Sequence, residues 1–219
     1  LPQGLSALRH RNFRLFWVGQ LISLIGTWMQ TVAQGWLLVE LTNGDAVALG
    51  LLAATQFLPV LVLGLFGGVL ADAVPKRNAL VATQVISGVL ALVLGLLVLD
   101  KSVQVWHIFV LAGLLGTVSA FDMPIRQSFV VEMVGREHIA NAVALNSAVF
   151  NGTRIIGPAV AGILIATLGL AACFLINAAS YVAVIAGLLV MREEELHRAP
   201  VSGLERTLRS VAGQLAEGL

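Results

Sequence analysis

Six polar residues recur at helical spacing between positions 20 and 34: Gln20, Ser23, Thr27, Gln30, Thr31 and Gln34. At 100° per residue they fall within about a 100° arc. A second set, Ser147, Asn151, Arg154 and Pro158, sits at i, i+4, i+7 and i+11. Asp122 and Arg126 stand four apart, a spacing at which a carboxylate and a guanidinium share one helix face, with Pro124 between them to bend the chain. None of these sets has the make-up of a hydrolytic or metal centre. HExxH, GxSxG, a Gly-Lys-Ser/Thr phosphate loop and GxGxxG are all missing, so no catalytic residue, cofactor or metal is expected and ATP-driven pumping by this chain alone is disfavoured. The chemistry on offer is hydrogen bonding, ion pairing and a single deeply placed cation.

The elements that carry these residues follow from composition. Of 219 residues, 58% are hydrophobic and 11% charged, with a mean hydropathy of +0.92. Soluble domains carry roughly a quarter charged residues. A globular core of this size cannot absorb so much apolar surface, which excludes a soluble enzyme or a nucleic-acid binder. The lone cysteine, Cys173, excludes an internal disulfide. No short apolar segment with a small-residue cleavage site marks a signal peptide. The chain lacks an initiator Met and stops inside a helical pattern, so we expect a piece of a longer protein.

Charge-poor runs predict six spanning helices: Phe13 to Leu38, Ala46 to Ala71, Ala79 to Leu99, Val103 to about Phe121, Asn141 to Leu168 and Ala171 to Met191. This divides the chain into a cytoplasmic N-terminal segment (1–12), a six-helix transmembrane half-domain (13–191) and the start of a cytoplasmic linker (192–219). With the N-terminus inside, eleven Lys and Arg residues fall on the cytoplasmic side and only Lys101 outside, while Arg154 lies within the fifth helix. That asymmetry predicts both termini cytoplasmic. Trp17, Trp36 and Trp106 fall near the interfaces, and His107 is expected to be interfacial too. Beyond Pro200, Leu204, Leu208, Val211, Leu215 and Leu219 recur at helical spacing, as in an amphipathic linker helix. Gly68-Val69-Leu70-Ala71 resembles Gly162-Ile163-Leu164-Ile165, the pattern of two three-helix repeats in opposite orientations.

Placed on these helices, the polar sets acquire meanings. The three large amides of helix 1 suit a water-filled cavity, whereas inter-helix hydrogen bonding is the alternative that its Thr and Ser residues would satisfy alone. Arg154 falls near mid-span, where an unpaired charge costs at least ~2.5 kcal/mol. It should face the bundle interior, through either a structural ion pair or direct substrate contact. Asp122 and Arg126 read as an anchor for the inner end of helix 4 or as a switchable pair at a cavity mouth. Asn151-Gly152-Thr153 matches a glycosylation acceptor, but at membrane depth the match is false. Gly64 and Gly68 form a GxxxG spacing for close helix approach, and Gly157-Pro158 marks a bend in helix 5.

Gly68-Val69-Leu70-Ala71-Asp72-Ala73-Val74-Pro75-Lys76-Arg77 resembles the loop signature of the major facilitator superfamily. Gly157-Pro158-Ala159-Val160-Ala161-Gly162 resembles the helix-5 motif of its drug:proton antiporters. Three further stretches, Arg11 to Phe16, Phe121 to Phe129 and Asn141 to Ser147, are similar to the branch holding enterobactin exporters and macrolide efflux proteins. The resemblance implies the N-terminal half of a twelve-helix fold, all-α, with a second six-helix half as partner and a central cavity opening alternately to each side. It implies a cytoplasmic gate at Asp72, Lys76 and Arg77, and closure of the cavity at Gly157, Pro158 and Gly162. The residue after the Asp, usually basic, is Ala73, and the first of the usual paired glycines is Ala161. The helix-4 arginine motif is not found in its usual form, so proton coupling comes from the resemblance alone. The expected function is a bacterial inner-membrane exporter of a small molecule, driven by protons, with Gln20, Thr27, Gln30, Gln34, Asn151 and Arg154 lining the cavity. A non-transporting membrane scaffold is the alternative.

Overall fold

The computed structural model describes residues 3–197. The leucine-spaced segment beyond Pro200 therefore lies outside the described residues. Six α-helices follow one another: α1 (Arg11–Thr42), α2 (Ala46–Ala73), α3 (Lys76–Leu99), α4 (Val105–Val134), α5 (Ile139–Leu168) and α6 (Leu170–Leu189). Short 3-10 turns cover Gln3–Arg9, Arg136–His138 and Glu193–Glu195. All six α-helices are long and apolar enough to cross a membrane, making this a multi-pass membrane protein.

Local chemistry sets the helix ends. Asn43 terminates α1 in the left-handed conformation at φ 53, and the Asp45 carboxylate accepts the Val47 amide at 2.8 Å to start α2. Gly135 (φ 68) and Gly169 (φ 85) end α4 and α5 at angles that glycine adopts without Cβ strain.

The largest departure from the sequence pattern is α4. It runs to Val134 rather than stopping near Phe121. Charges at Asp122, Arg126 and Glu132 read as a helix end, but each is met by a partner within the bundle, so nothing forces the span to stop. Pro124 is accommodated too. It removes the amide that would bond the Ala120 carbonyl, and Gly67 of α2 lies directly against that carbonyl and the Pro124 ring. The residue of α2 that permits close approach is thus Gly67, whereas Gly64 and Gly68 have open space around them.

Packing follows an internal symmetry. α1 packs on α5 and α6, α4 packs on α2 and α3, and α3 packs on α6. Exchanging α1 with α4, α2 with α5 and α3 with α6 maps these contacts onto themselves, as two inverted three-helix repeats require. Gly68 and Gly162, matched in the sequence repeat, both face open space, and both positions just before them, Gly67 and Ala161, are buried. The described residues therefore form an all-α fold of two inverted three-helix repeats. One apolar cluster, built around Phe13, Phe16, Phe129 and Leu188, fills the end where α1 starts. A second, around Met29, Leu38, Ile108 and Phe174, fills the opposite end. Polar side chains occupy the layer between. Large apolar residues on α2 and α5, such as Leu61, Leu65, Ile155 and Ile163, point outward, as a lipid-facing or partner-facing surface would.

Candidate functional site

The α2–α3 turn carries the densest ion pairing. Lys76 donates to the Glu132 carboxylate of α4 at 2.7 Å, with the two side chains only 8% and 11% exposed. Arg77 donates to the Leu188 carbonyl at 2.7 Å and the Leu189 carbonyl at 2.9 Å, covering the exposed carbonyl end of α6, and pairs with Glu193 just beyond it. Cations are favoured at such an end by both hydrogen bonding and the helix dipole. The turn is thereby tied to α4 and α6 at once. Asp72 is exposed beside it, and no described residue hydrogen-bonds or pairs with it.

Asp122 and Arg126 do pair. The carboxylate accepts from Arg126 Nε at 2.8 Å and also from its Nη2, from Thr83 Oγ1 at 2.6 Å and from Gln84 Nε2 at 2.9 Å. Arg126 also lies over the Phe16 ring, 5.8 Å from its centroid. The pair is therefore held in the α3–α4 interface with every strong acceptor position used.

The α1 stripe differs from the expectation of a wetted face. Gln20, Ser23, Gln30 and Gln34 are buried within the six-helix unit. Gln30 Oε1 accepts from Asn177 Nδ2 of α6 at 2.7 Å, and Ser180 Oγ donates to Asn177 Oδ1 at 3.1 Å. Gln34 Oε1 accepts from Gln56 of α2 at 3.4 Å. Thr27 and Thr31 bond back to the carbonyls of Ser23 and Thr27. Gly26 admits the Asn177 and Ser180 side chains against the α1 backbone. The amides thus form an inter-helix seam, because the amide partners sit on α2 and α6, beyond the reach of a reading of α1 alone. Gln20 Nε2 is the exception, buried without a partner among the described residues.

The α5 set stands elsewhere. Asn151 and Arg154 are exposed on the outside of the six-helix unit rather than facing its interior. Asn151 Nδ2 donates to the Ser147 carbonyl at 2.8 Å. The Arg154 guanidinium lies over the Trp28 indole of α1 at 5.6 Å from the ring centroid, and Phe150 meets the same indole edge-on at 5.6 Å. Gly157 is the close contact between α5 and α1, since a Cβ there would meet the Ile25 carbonyl at 3.0 Å and the Met29 amide at 3.2 Å. Pro158 lies inside the helix, whereas Gly162 faces open space.

Sequence reasoning missed Glu132, Glu193, Thr83, Gln84, Asn177 and Trp28. The separations of 56 and 116 residues in the Lys76–Glu132 and Arg77–Glu193 pairs explain why. It also missed a histidine cluster at the same end. The rings of His10 and His138 meet edge-on at 5.0 Å, and the His197 amide donates to the Glu132 carbonyl at 2.8 Å. Burial holds the His10 pKa below its ordinary value, helped by His138 and His197 and opposed by Glu195. Arg9, Arg11, Arg192 and Glu194 line the adjoining hollow. Among the described residues no cluster of His, Cys, Asp and Glu could hold a metal ion.

Comparison with known proteins adds identity to this geometry. A family model described as transmembrane secretion effector matches residues 3–213. The chain is 27% identical over 169 residues to the staphyloferrin A transporter of Staphylococcus aureus, covering 77% of this chain and 42% of that protein. It is 30% identical over 174 residues to the multidrug efflux pump Tap of Mycolicibacterium fortuitum, with the same 77% and 42% coverage. Macrolide efflux protein A of Streptococcus pyogenes is 26% identical over 70% of this chain and 38% of its own length. The chain thus spans about two-fifths of the length of these curated relatives. No solved structure gives a significant match.

Proposed function

Because the chain belongs to the transmembrane secretion effector family of major facilitator transporters, we propose that it forms one six-helix half of a bacterial inner-membrane exporter that works by alternating access. Its substrate is a small molecule, in keeping with relatives named for staphyloferrin A, multidrug and macrolide transport. Protons supply the driving force in this reading, and a second six-helix half completes the cavity. Both termini of the segment face the cytoplasm, which the concentration of Lys and Arg at that end supports.

The observation that carries the reading is the buried Lys76–Glu132 pair. It joins the turn of the first repeat to the last turns of α4 in the second repeat, at one end of the bundle only. A bundle that opens at alternate ends needs such an end-specific, breakable tie. Asp72, exposed on the same turn, is available to the other half as a second contact of the gate. Asn151 and Arg154, on the outer surface of the unit, line the cavity between halves. The Asp122–Arg126 pair holds α4 against α3 while the gate works.

The sealed α1 seam favours the other reading, a non-transporting scaffold, since a bundle without a wetted face would bury its amides in this way. Arg154 weighs against it, because a scaffold has no need of an exposed cation at mid-span. Transport into everted vesicles carrying the full-length gene product distinguishes the two. With an imposed proton gradient, at least one radiolabelled small molecule should accumulate and should leak out when nigericin collapses the gradient. Correctly inserted protein that moves no member of a macrolide, cationic dye and carboxylate siderophore panel would overturn the exporter reading.

A further inference from the structure

Arg154 lies 15 residues from the start of α5 and 14 from its end, about 20 Å from either terminus. A cation at that depth of a membrane requires a partner, and among the described residues this one has a ring. The acid nearest this depth, Asp122, is committed to Arg126. Among the described residues, no carboxylate reaches Arg154. Trp28, beneath the guanidinium, keeps an indole N–H that is shielded from solvent and has no hydrogen-bond partner. Asn151, three residues earlier on α5, donates one amide hydrogen to the Ser147 carbonyl and leaves its Oδ1 able to accept. Pro158 cannot donate to the Arg154 carbonyl, so that oxygen lacks its helical amide. The surface therefore combines one planar cation, the free Asn151 Oδ1 acceptor and the apolar faces of Trp28 and Phe150.

Resting on the exporter reading above, we propose that Arg154 and Trp28 form the substrate-recognition element, and that the substrate is an amphiphilic organic carboxylate. A guanidinium binds a carboxylate in two parallel hydrogen bonds, which a neutral or cationic drug cannot supply. The indole holds the guanidinium in place by cation–π attraction and offers the apolar body of the ligand a flat surface. A ligand with only an apolar body would leave the cation uncompensated, and one with only charge would leave the aromatic pair uncovered.

The test uses the full-length gene product in lipid nanodiscs and two near-isosteric probes, 1-naphthoate and 1-naphthamide, measured by equilibrium dialysis. Wild type should bind the carboxylate about 10-fold or more tightly than the amide, as a hydrogen-bonded charge pair would confer. Arg154→Gln should bring the carboxylate down to the amide's level and leave the amide within about 2-fold. Trp28→Leu should weaken both probes together. Equal binding in wild type, or a preference that survives Arg154→Gln, overturns the inference. A second measurement separates that failure from failure of the exporter reading: labelling of Arg154→Cys, in an otherwise cysteine-free background, by an impermeant methanethiosulfonate. A labelled cysteine without carboxylate preference leaves the cavity standing and removes only the substrate class. A cysteine unreactive from both sides overturns both, and would point to a carboxylate of the second half as the partner of Arg154.

Discussion

Lys76 and Glu132 meet with little water around them, so each depends on the other to offset its desolvation. Glu132→Gln or Lys76→Met alone leaves a buried charge behind, and we expect a loss of about 3–5 kcal/mol in resistance to unfolding. The double variant Lys76→Met/Glu132→Met should recover most of that stability but not transport, since a tie without charge cannot be broken and remade by the same contacts. Thermal unfolding in detergent beside vesicle transport checks both halves of the expectation. His10 gives a pH dependence with a definite sign. Its folded-state pKa is lowered, so the unfolded segment binds more protons in the window just below about 6.5. Its contribution to docking is complete above that value and is lost as pH falls through the folded pKa. Protection of the N-terminal turn, the intrinsic base-catalysed exchange rate divided by the observed rate, should therefore fall as pH is lowered from about 7.5 to about 5.5. His10→Gln should flatten that response, and an unchanged response would show that another group governs the docking.

At the scale of the element, glycine close approaches hold the helices together, among them Gly67 of α2 against the Ala120 carbonyl of α4, Gly116 of α4 against the Gln56 carbonyl of α2, and Gly157 of α5 against α1. A side chain at any of these positions meets backbone, which cannot swing aside. Gly67→Leu should force α2 off α4 and cost more than about 2 kcal/mol, whereas Gly68→Leu, in open space, should be nearly neutral. Comparing the two by detergent unfolding isolates the packing effect, because both lie in the same turn of the same helix. Helix number and approximate position were legible in the sequence because long apolar runs are a local property. The end of α4 was not, because whether Asp122 or Glu132 stops a span depends on Thr83, Gln84 and Lys76, which belong to another helix.

For the whole molecule, the inverted pairing of helices places the ion-paired turn at one end and leaves the other end closed by apolar packing. If that turn gates a cavity shared with a second half, loosening it should bias the full-length protein toward the inward-open state. Asp72→Asn should raise labelling of a Thr31→Cys reporter from the cytoplasmic side and lower it from the outside. Equal labelling of the parent and the Asp72→Asn protein would remove Asp72 from the gate.

By itself the sequence determined the solvent and the number and approximate place of the helices. Hydropathy, run length and the distribution of Lys and Arg are sums over neighbouring residues, and a bilayer reads such sums directly. Repeat symmetry was visible only as a few matched residues around Gly68 and Gly162. Tertiary structure decided which polar groups meet. The same stripe of amides on α1 would be a wetted face or a dry seam depending on what stands opposite, and Asn177 and Gln56 made Gln30 and Gln34 a seam. Likewise Arg154 acquired Trp28 rather than an acid, because α5 crosses α1 at Gly157. Partners separated by dozens of residues are brought together by packing, and packing depends on every helix at once.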